Sequence, residues 1–329
     1  MSSAIVVTPA LLEKRKDYDL FLAAVGYEAR ARYMVQELVP NARRKVALAF
    51  SRDKVLDYSA NLVYLSKAGY SIQELEDGEI ESWFRNELIS VTSDSDREIR
   101  LGIDISSLSR IRIATVFDVI RSLAAQIGRS VVTDWYYSIA RYSAPPRGFV
   151  PIAVVGPVLP SFAGWTNEPE RPLVAVVGLG YEEDKALGAV EHVQASAAWA
   201  MKPISLDPRY DVAVTLANRR FLDSVRPEQV MDYRVEQPID CFGMLESVVY
   251  GLLKSFNVIV LPFGPKVFTL CSLLVAGVHP TVSIWRVSAG GAERPVNRRA
   301  SGRITCLTLT FAPLSLEAEQ EVSMTDVFA

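Results

Sequence analysis

The sequence predicts an α/β protein made of two tandem, doubly wound Rossmann-like units related by internal duplication. Three observations predict it. Runs that are apolar throughout alternate with helical stretches, the pattern of parallel strands covered on both faces. The order of strand, polar junction, helix and strand occurs twice along the chain. A segment holding seven prolines, residues 143–172, separates the two occurrences. Proline removes backbone donors and restricts its neighbours, so regular structure breaks there repeatedly. With 329 residues the chain is long enough for two domains of ordinary size. The expected division is a first unit at 1–145, a proline-rich linker at 146–172 and a second unit at 173–329.

The first unit opens with an apolar strand, Leu20 to Val25, ending at Gly26. The "YEAR" that follows leads into a helix with Ala29, Tyr33, Met34 and Leu38 at helical spacing. "KVALAFSRD" (45–53) reads as a second strand and "DYSANLVYLSKAGY" as the helix after it. Strand "IRLGIDIS" runs into helix "RIRIATVFDVIRSLAAQIG", and strand "VVTDWYYSIARYS" follows. The second unit repeats this order. Strand Leu173 to Val177 ends in glycines, and Gly180, Tyr181 and Glu182 repeat Gly26, Tyr27 and Glu28 before a helix. Strand "NVIVLPF" meets "GPK", then helix "VFTLCSLLVAGVH" and strand "TVSIWRVSA". Gly26 to Asp104 is 78 residues and Gly180 to Gly264 is 84, so the repeat keeps its spacing. The acidic tail "LEAEQEVSMTDVFA" predicts a surface helix or a frayed end.

The formal net charge is −3, from 35 basic and 38 acidic residues, which argues against an extended surface for nucleic-acid phosphates. Cys241, Cys271 and Cys306 are far apart and form no CxxC pair, so neither a metal site nor a disulfide framework is expected. Cys271 reads as a buried structural thiol. His192 and His279 have no Cys or acidic partner at ligand spacing. The GxSxG, HExxH and GxxxxGK[ST] patterns are absent, and no cofactor is expected. The N-terminus lacks the basic and apolar regions of a signal peptide, and no apolar run is long enough for a membrane helix. A cytoplasmic protein is expected.

In doubly wound folds ligands bind outside the carboxyl ends of the strands. Four junctions therefore become candidates: "GYEAR", "DISSLSR", "GLGYEED" and "FGPK". "DISSLSR" offers hydroxyls from Ser106, Ser107 and Ser109, a carboxylate from Asp104 and a guanidinium from Arg110. Hydroxyls and helix N-terminal amides suit phosphate, and Arg adds bidentate charge. The same residues also fit a plain serine cap with Arg110 in solvent. At "FGPK", Gly264 admits a ligand close to the backbone and Lys266 supplies a point charge. "GLGYEED" is not GxGxxG, and Glu182, Glu183 and Asp184 would repel phosphate. Glu28 and Glu182 suit either a ribose hydroxyl or base edge, or the positive end of a helix. Asp207, Arg209, Tyr210, Asp211, Asn218 and Arg219 form a dense polar set that fits a loop at the binding edge or a surface turn. Tyr137 and Tyr142 could stack on a base or pack in the core.

Asp104, Ser106 and Arg110 also match a pattern of acidic or amide residue, any residue, Ser or Thr, three residues, then Arg or Lys. In this, at a strand-to-helix junction, the first unit resembles CARF domains, the Rossmann-like ligand sensors associated with CRISPR systems. The resemblance implies binding roles for Asp104, Ser106 and Arg110, and for Gly26 at the end of the first strand. It implies a cyclic oligonucleotide messenger bound across a twofold cleft. The expected function is a nucleotide-binding sensor or regulatory subunit, of a prokaryotic defence system, with Arg110 and Lys266 on phosphate. It would act through a protein partner or a homo-oligomer. The alternative is a metal-independent phosphodiesterase, or a nucleoside or sugar-phosphate transferase, on the same scaffold. No catalytic residue is assigned.

Overall fold

The computed structural model describes residues 3–92, 97–145, 152–164, 168–288, 290 and 295–313. The acidic tail and part of the proline-rich segment lie outside them.

Strands β2 (Asp17–Val25), β3 (Asn41–Ala49), β4 (Ser71–Glu74), β5 (Ile99–Asp104) and β6 (Val131–Ala140) are parallel and lie in the order β4-β3-β2-β5-β6. Strands β8 (Leu173–Gly178), β9 (Ala197–Ile204), β10 (Val230–Arg234), β11 (Asn257–Pro262) and β12 (Ser283–Ser288) are parallel in the order β10-β9-β8-β11-β12. Both units thus run third, second, first, fourth, fifth, a Rossmann-like order. The direction of winding reverses between the first and fourth strands, which is where such sheets open a crevice.

Each strand feeds an apolar set to both faces. Leu20, Leu22 and Ala24 of β2 pack on one side, Phe21, Ala23 and Val25 on the other. This is why these strands read as continuous apolar runs. Helices α1 (Tyr33–Leu38) and α2 (Tyr58–Lys67) cover the outer face of the first sheet. Helices α5 (Lys185–His192), α6 (Pro208–Ala217) and α7 (Arg219–Ser224) cover the outer face of the second. Between the sheets lie α3 (Ile80–Thr92), α4 (Arg110–Ile127), α8 (Pro238–Leu253) and α9 (Lys266–Val278). Their apolar residues form one core cluster with both inner faces, so the three middle layers share a continuous interior and each outer helix layer packs in a cluster of its own.

Two strands depart from the expected division. β7 (Val154–Pro157), inside the proline-rich segment, pairs antiparallel with β12 and belongs to the second sheet. β13 (Ala300–Pro313), expected in the second unit, returns to the first sheet. There it lies antiparallel between β6 and β1 (Ser3–Pro9). The reason is packing: Leu307, Leu309 and Phe311 alternate into the central core, while β6 offers an open ladder edge. The second unit is therefore inserted into the first, between β6 and β13.

Candidate functional site

The four predicted junctions meet at one place. Gly26 and Asp104 end the adjacent strands β2 and β5, and Gly180 and Gly264 follow the adjacent strands β8 and β11. A cleft of about 430 Å³ opens between these two switch points, lined from both units. Gly26, Glu28, Ser107, Ser109, Arg110, Gly180, Glu182, Gly264 and Lys266 line it.

Asp104 and Ser106 do not. Both are buried beneath the cleft wall and brace it. Asp104 Oδ1 accepts from the Ser106 amide at 2.9 Å, and Ser106 Oγ accepts from the Ser138 amide at 2.7 Å. Burial pushes the Asp104 carboxyl up to about 6, against the lowering effect of its Ser106 bonds and of Lys266 and Arg30. The expected ligand roles of these two residues thus become roles in holding the loop. Ser109 caps α4, accepting from the Arg112 amide at 3.3 Å. Ser107 keeps a buried hydroxyl with no partner, packed against Gly26, where a Cβ would sit 2.6 Å from the Ser107 Cβ.

The two junctions grip each other reciprocally. Arg110 of the first unit donates from Nη2 to the Gly264 carbonyl at 3.0 Å. Lys266 of the second donates from Nζ to the Ser106 carbonyl at 2.6 Å. A second pairing follows the same symmetry. Asn61, on α2, donates to the carbonyls of Gly26 and Glu28 at 2.7 and 2.8 Å. Asn218, after α6, donates to the Gly180 carbonyl at 2.6 Å. Each unit therefore ties its glycine turn down with one buried amide from the crossover between its second and third strands, at the start of the helix in one and after it in the other.

Gly264 has φ +69°, and a Cβ there would lie 2.2 Å from the Leu179 carbonyl oxygen. Neither the left-handed backbone nor that contact suits a side chain. Gly264→Ala is expected to lower stability by at least about 1–2 kcal/mol from the conformation alone. A melting temperature equal to wild type would show that the turn is not constrained in this way.

The electrostatic centre includes residues that no motif indicated. Glu28, buried, accepts from Arg30 Nε and from Arg298 Nη1, the latter at 2.8 Å. Arg30 is itself buried and also donates to Tyr137 Oη at 3.1 Å and to the Ser138 carbonyl at 2.9 Å. Arg298 Nε donates to Tyr181 Oη at 3.0 Å. Arg298 comes from the segment entering β13, which also accepts from Ala29 and Arg30 backbone amides through Asn297 and the Arg298 carbonyl. Burial alone would raise Glu28, but Arg30, Lys266 and Arg298 outweigh it and hold the carboxyl down at about 2. For Lys266, burial acts first, and Arg30, Arg110 and Arg298 add to it against Glu28, bringing it down to about 7.

Of the polar set at 207–219, only Tyr210 and Asn218 reach this region. Asp207 pairs with Arg209 at the start of α6, Asp211 accepts from the Ser205 amide, and Arg219 is exposed beside Asp223. Tyr137 lines the cleft, and Tyr142 stands edge-on behind Tyr210 at 5.1 Å. His279 pairs with Glu246 on α8, and the three cysteines are free and buried. Among the described residues, no group of three His, Cys, Asp or Glu side chains is placed to hold a metal ion. Nor is any helix among them long and apolar enough to cross a membrane. No protein-family profile matches the chain, and no curated protein matches it in sequence.

Proposed function

We propose that the cleft binds a nucleotide-derived anion and that the protein acts as a sensor, passing its bound state to a partner. One observation carries this reading. Four cations, Arg30, Arg110, Lys266 and Arg298, gather over two buried carboxylates: Arg30, Arg298 and Lys266 act on Glu28, Lys266 and Arg30 also act on Asp104, and Arg110 stands near Lys266. Arg110 and Lys266 bond neutral carbonyls instead, and Arg110 Nε is buried with no partner. Such a centre has positive charge to spare and donors already oriented. Of the CARF-like signature Arg110 lines the cleft while Asp104 and Ser106 brace its wall, and on that resemblance we propose a cyclic oligonucleotide as one ligand and a prokaryotic defence system as the setting. The shared strand order supports descent of the two units from one duplicated ancestor.

The test is calorimetric titration with linear and cyclic nucleotides. For the tightest of them, Arg110→Ala is expected to weaken binding about ten- to a hundred-fold, the loss of one charge-assisted contact. Affinity should also fall as pH rises through about 7, because Lys266 loses its charge there. Unchanged affinity in the variant, with no pH dependence, would remove the anion site.

A second reading rests on the same lysine. A group titrating near neutrality beside a bound phosphate can donate a proton to a leaving oxygen, so a metal-independent phosphodiesterase fits the cleft as well. The ligand recovered intact after long incubation with excess EDTA favours the sensor; a cleaved one favours the enzyme.

A further inference from the structure

The two walls of the cleft differ in a way the symmetry of the fold does not require. Gly-Tyr-Glu places a tyrosine on each wall, Tyr27 and Tyr181. On the second-unit wall a further ring joins it. Tyr210, from the start of α6, runs nearly parallel to Tyr181, with centroids 6.2 Å apart and planes at 29°. Both line the cleft, and Tyr142 buttresses Tyr210 from behind. The Tyr210 hydroxyl is held by the end of β6, donating toward the carbonyls of Ala140 and Arg141 at 3.4 and 3.3 Å. The first-unit wall offers Phe50 and Tyr137 instead, and each has a guanidinium over its ring, Arg112 at 4.0 Å from Phe50 and Arg30 at 5.3 Å from Tyr137. Beside Phe50 stand carboxylates, Asp53 and Asp77, the latter bound by Arg112. Cations also flank the second-unit wall: Arg298 bonds the Tyr181 hydroxyl, and Lys266 and Arg110 reach across the junction.

We infer that the second-unit wall is a base subsite: a single nucleotide lies in the cleft with its base on Tyr181 and Tyr210 and its phosphate at Arg110 and Lys266. This rests on the anion-binding reading above and deepens it. The volume agrees, since about 430 Å³ lies toward the lower end of the range for small-ligand sites, about 300–1,000 Å³. Aromatic stacking tolerates any base, so the subsite selects for a base over none rather than for one base over another. Glu182, folded over Gly180 on the same wall, places a carboxylate where a ribose hydroxyl would donate.

The full-length protein is titrated with ribose 5-phosphate and with the four nucleoside 5′-monophosphates. Nucleotides are expected to bind about five- to a hundred-fold more tightly than the sugar phosphate, the contribution of one stacked base. Tyr210→Leu should bring the nucleotides down to the affinity of ribose 5-phosphate, while Tyr210→Phe, which keeps the ring, should retain the difference. Should Tyr210→Leu fail to fold, Tyr181→Leu makes the same comparison. Equal affinity for sugar phosphate and nucleotide in the wild type would overturn the base subsite and leave the anion site standing. A Tyr27→Leu loss as large as that of Tyr210→Leu would overturn the one-sided assignment. Binding of neither ribose 5-phosphate nor any nucleotide would overturn both readings.

Discussion

Glu28→Ala is expected to destabilise the fold by about 3–5 kcal/mol, because it strands buried cations without their counter-charge. Arg30 is buried and Arg298 half-buried, and both direct a guanidinium at this one carboxylate. The loss is read from the midpoint of denaturant unfolding. Its pH signature has a definite sign. The folded carboxyl titrates at about 2, below its ordinary value of 4.5. The stability it contributes is therefore complete above about pH 4.5 and is lost as pH falls toward 2. Glu28→Gln should flatten that acid limb. A cost under about 1 kcal/mol for the alanine variant would mean that the arginines are satisfied by other groups.

Phe117→Ala is expected to cost about 3–5 kcal/mol, as a large ring is removed from a close-packed interior. Phe117, on α4, is fully buried. It meets Phe311 of β13 edge-on at 5.6 Å, and Trp135 of β6 and Phe162 of the proline-rich segment at 6.2 Å each. Trp135 and Phe311 belong to the first sheet and Phe162 to the segment leading into the second unit, while Gly277 of α9 lies against Phe117 from the second unit, so the ring joins all three. Wild type and variant should each unfold in one transition, with tryptophan fluorescence and far-ultraviolet circular dichroism moving together. Two separated transitions, only one of them shifted by the substitution, would show that the core is divided.

The parallel strands were legible because burial on both faces writes itself as unbroken apolar runs, as at "LFLAAV" and "NVIVLP". Their carboxyl ends were legible because a strand that turns sharply into the cleft wall ends near glycine or serine, as at Gly26, Ser106 and Gly264. β13 was not. Its "TCLTLTF" alternates, as an antiparallel strand does, and nothing local says which sheet takes it. The charge centre was half legible. Arg110 and Lys266 sit in the junctions themselves. Arg298 approaches from a segment that follows the whole second unit, and Arg30 looks like any helical arginine until Tyr137 and Glu28 close around it. Asn61 was hidden for the same reason, since a buried amide inside a helix has a role only once the turn it holds has been placed, and Asn218 showed only as one member of a polar set.

The return of β13 to the first sheet has a consequence for how the chain is made. Of the described elements β1 is made before all the others and its register partner β13 after them, with Ser3 opposite Pro313 and Pro9 opposite Leu307. At the ribosome, β1 must wait for the whole inserted second unit, and the edge of β6 stays open meanwhile. Pairings of such long sequence separation form slowly and leave strand edges exposed to other chains. The segment carrying Arg298 emerges just ahead of β13, so the charge centre at Glu28 and the seventh strand of the sheet are completed in the same late step.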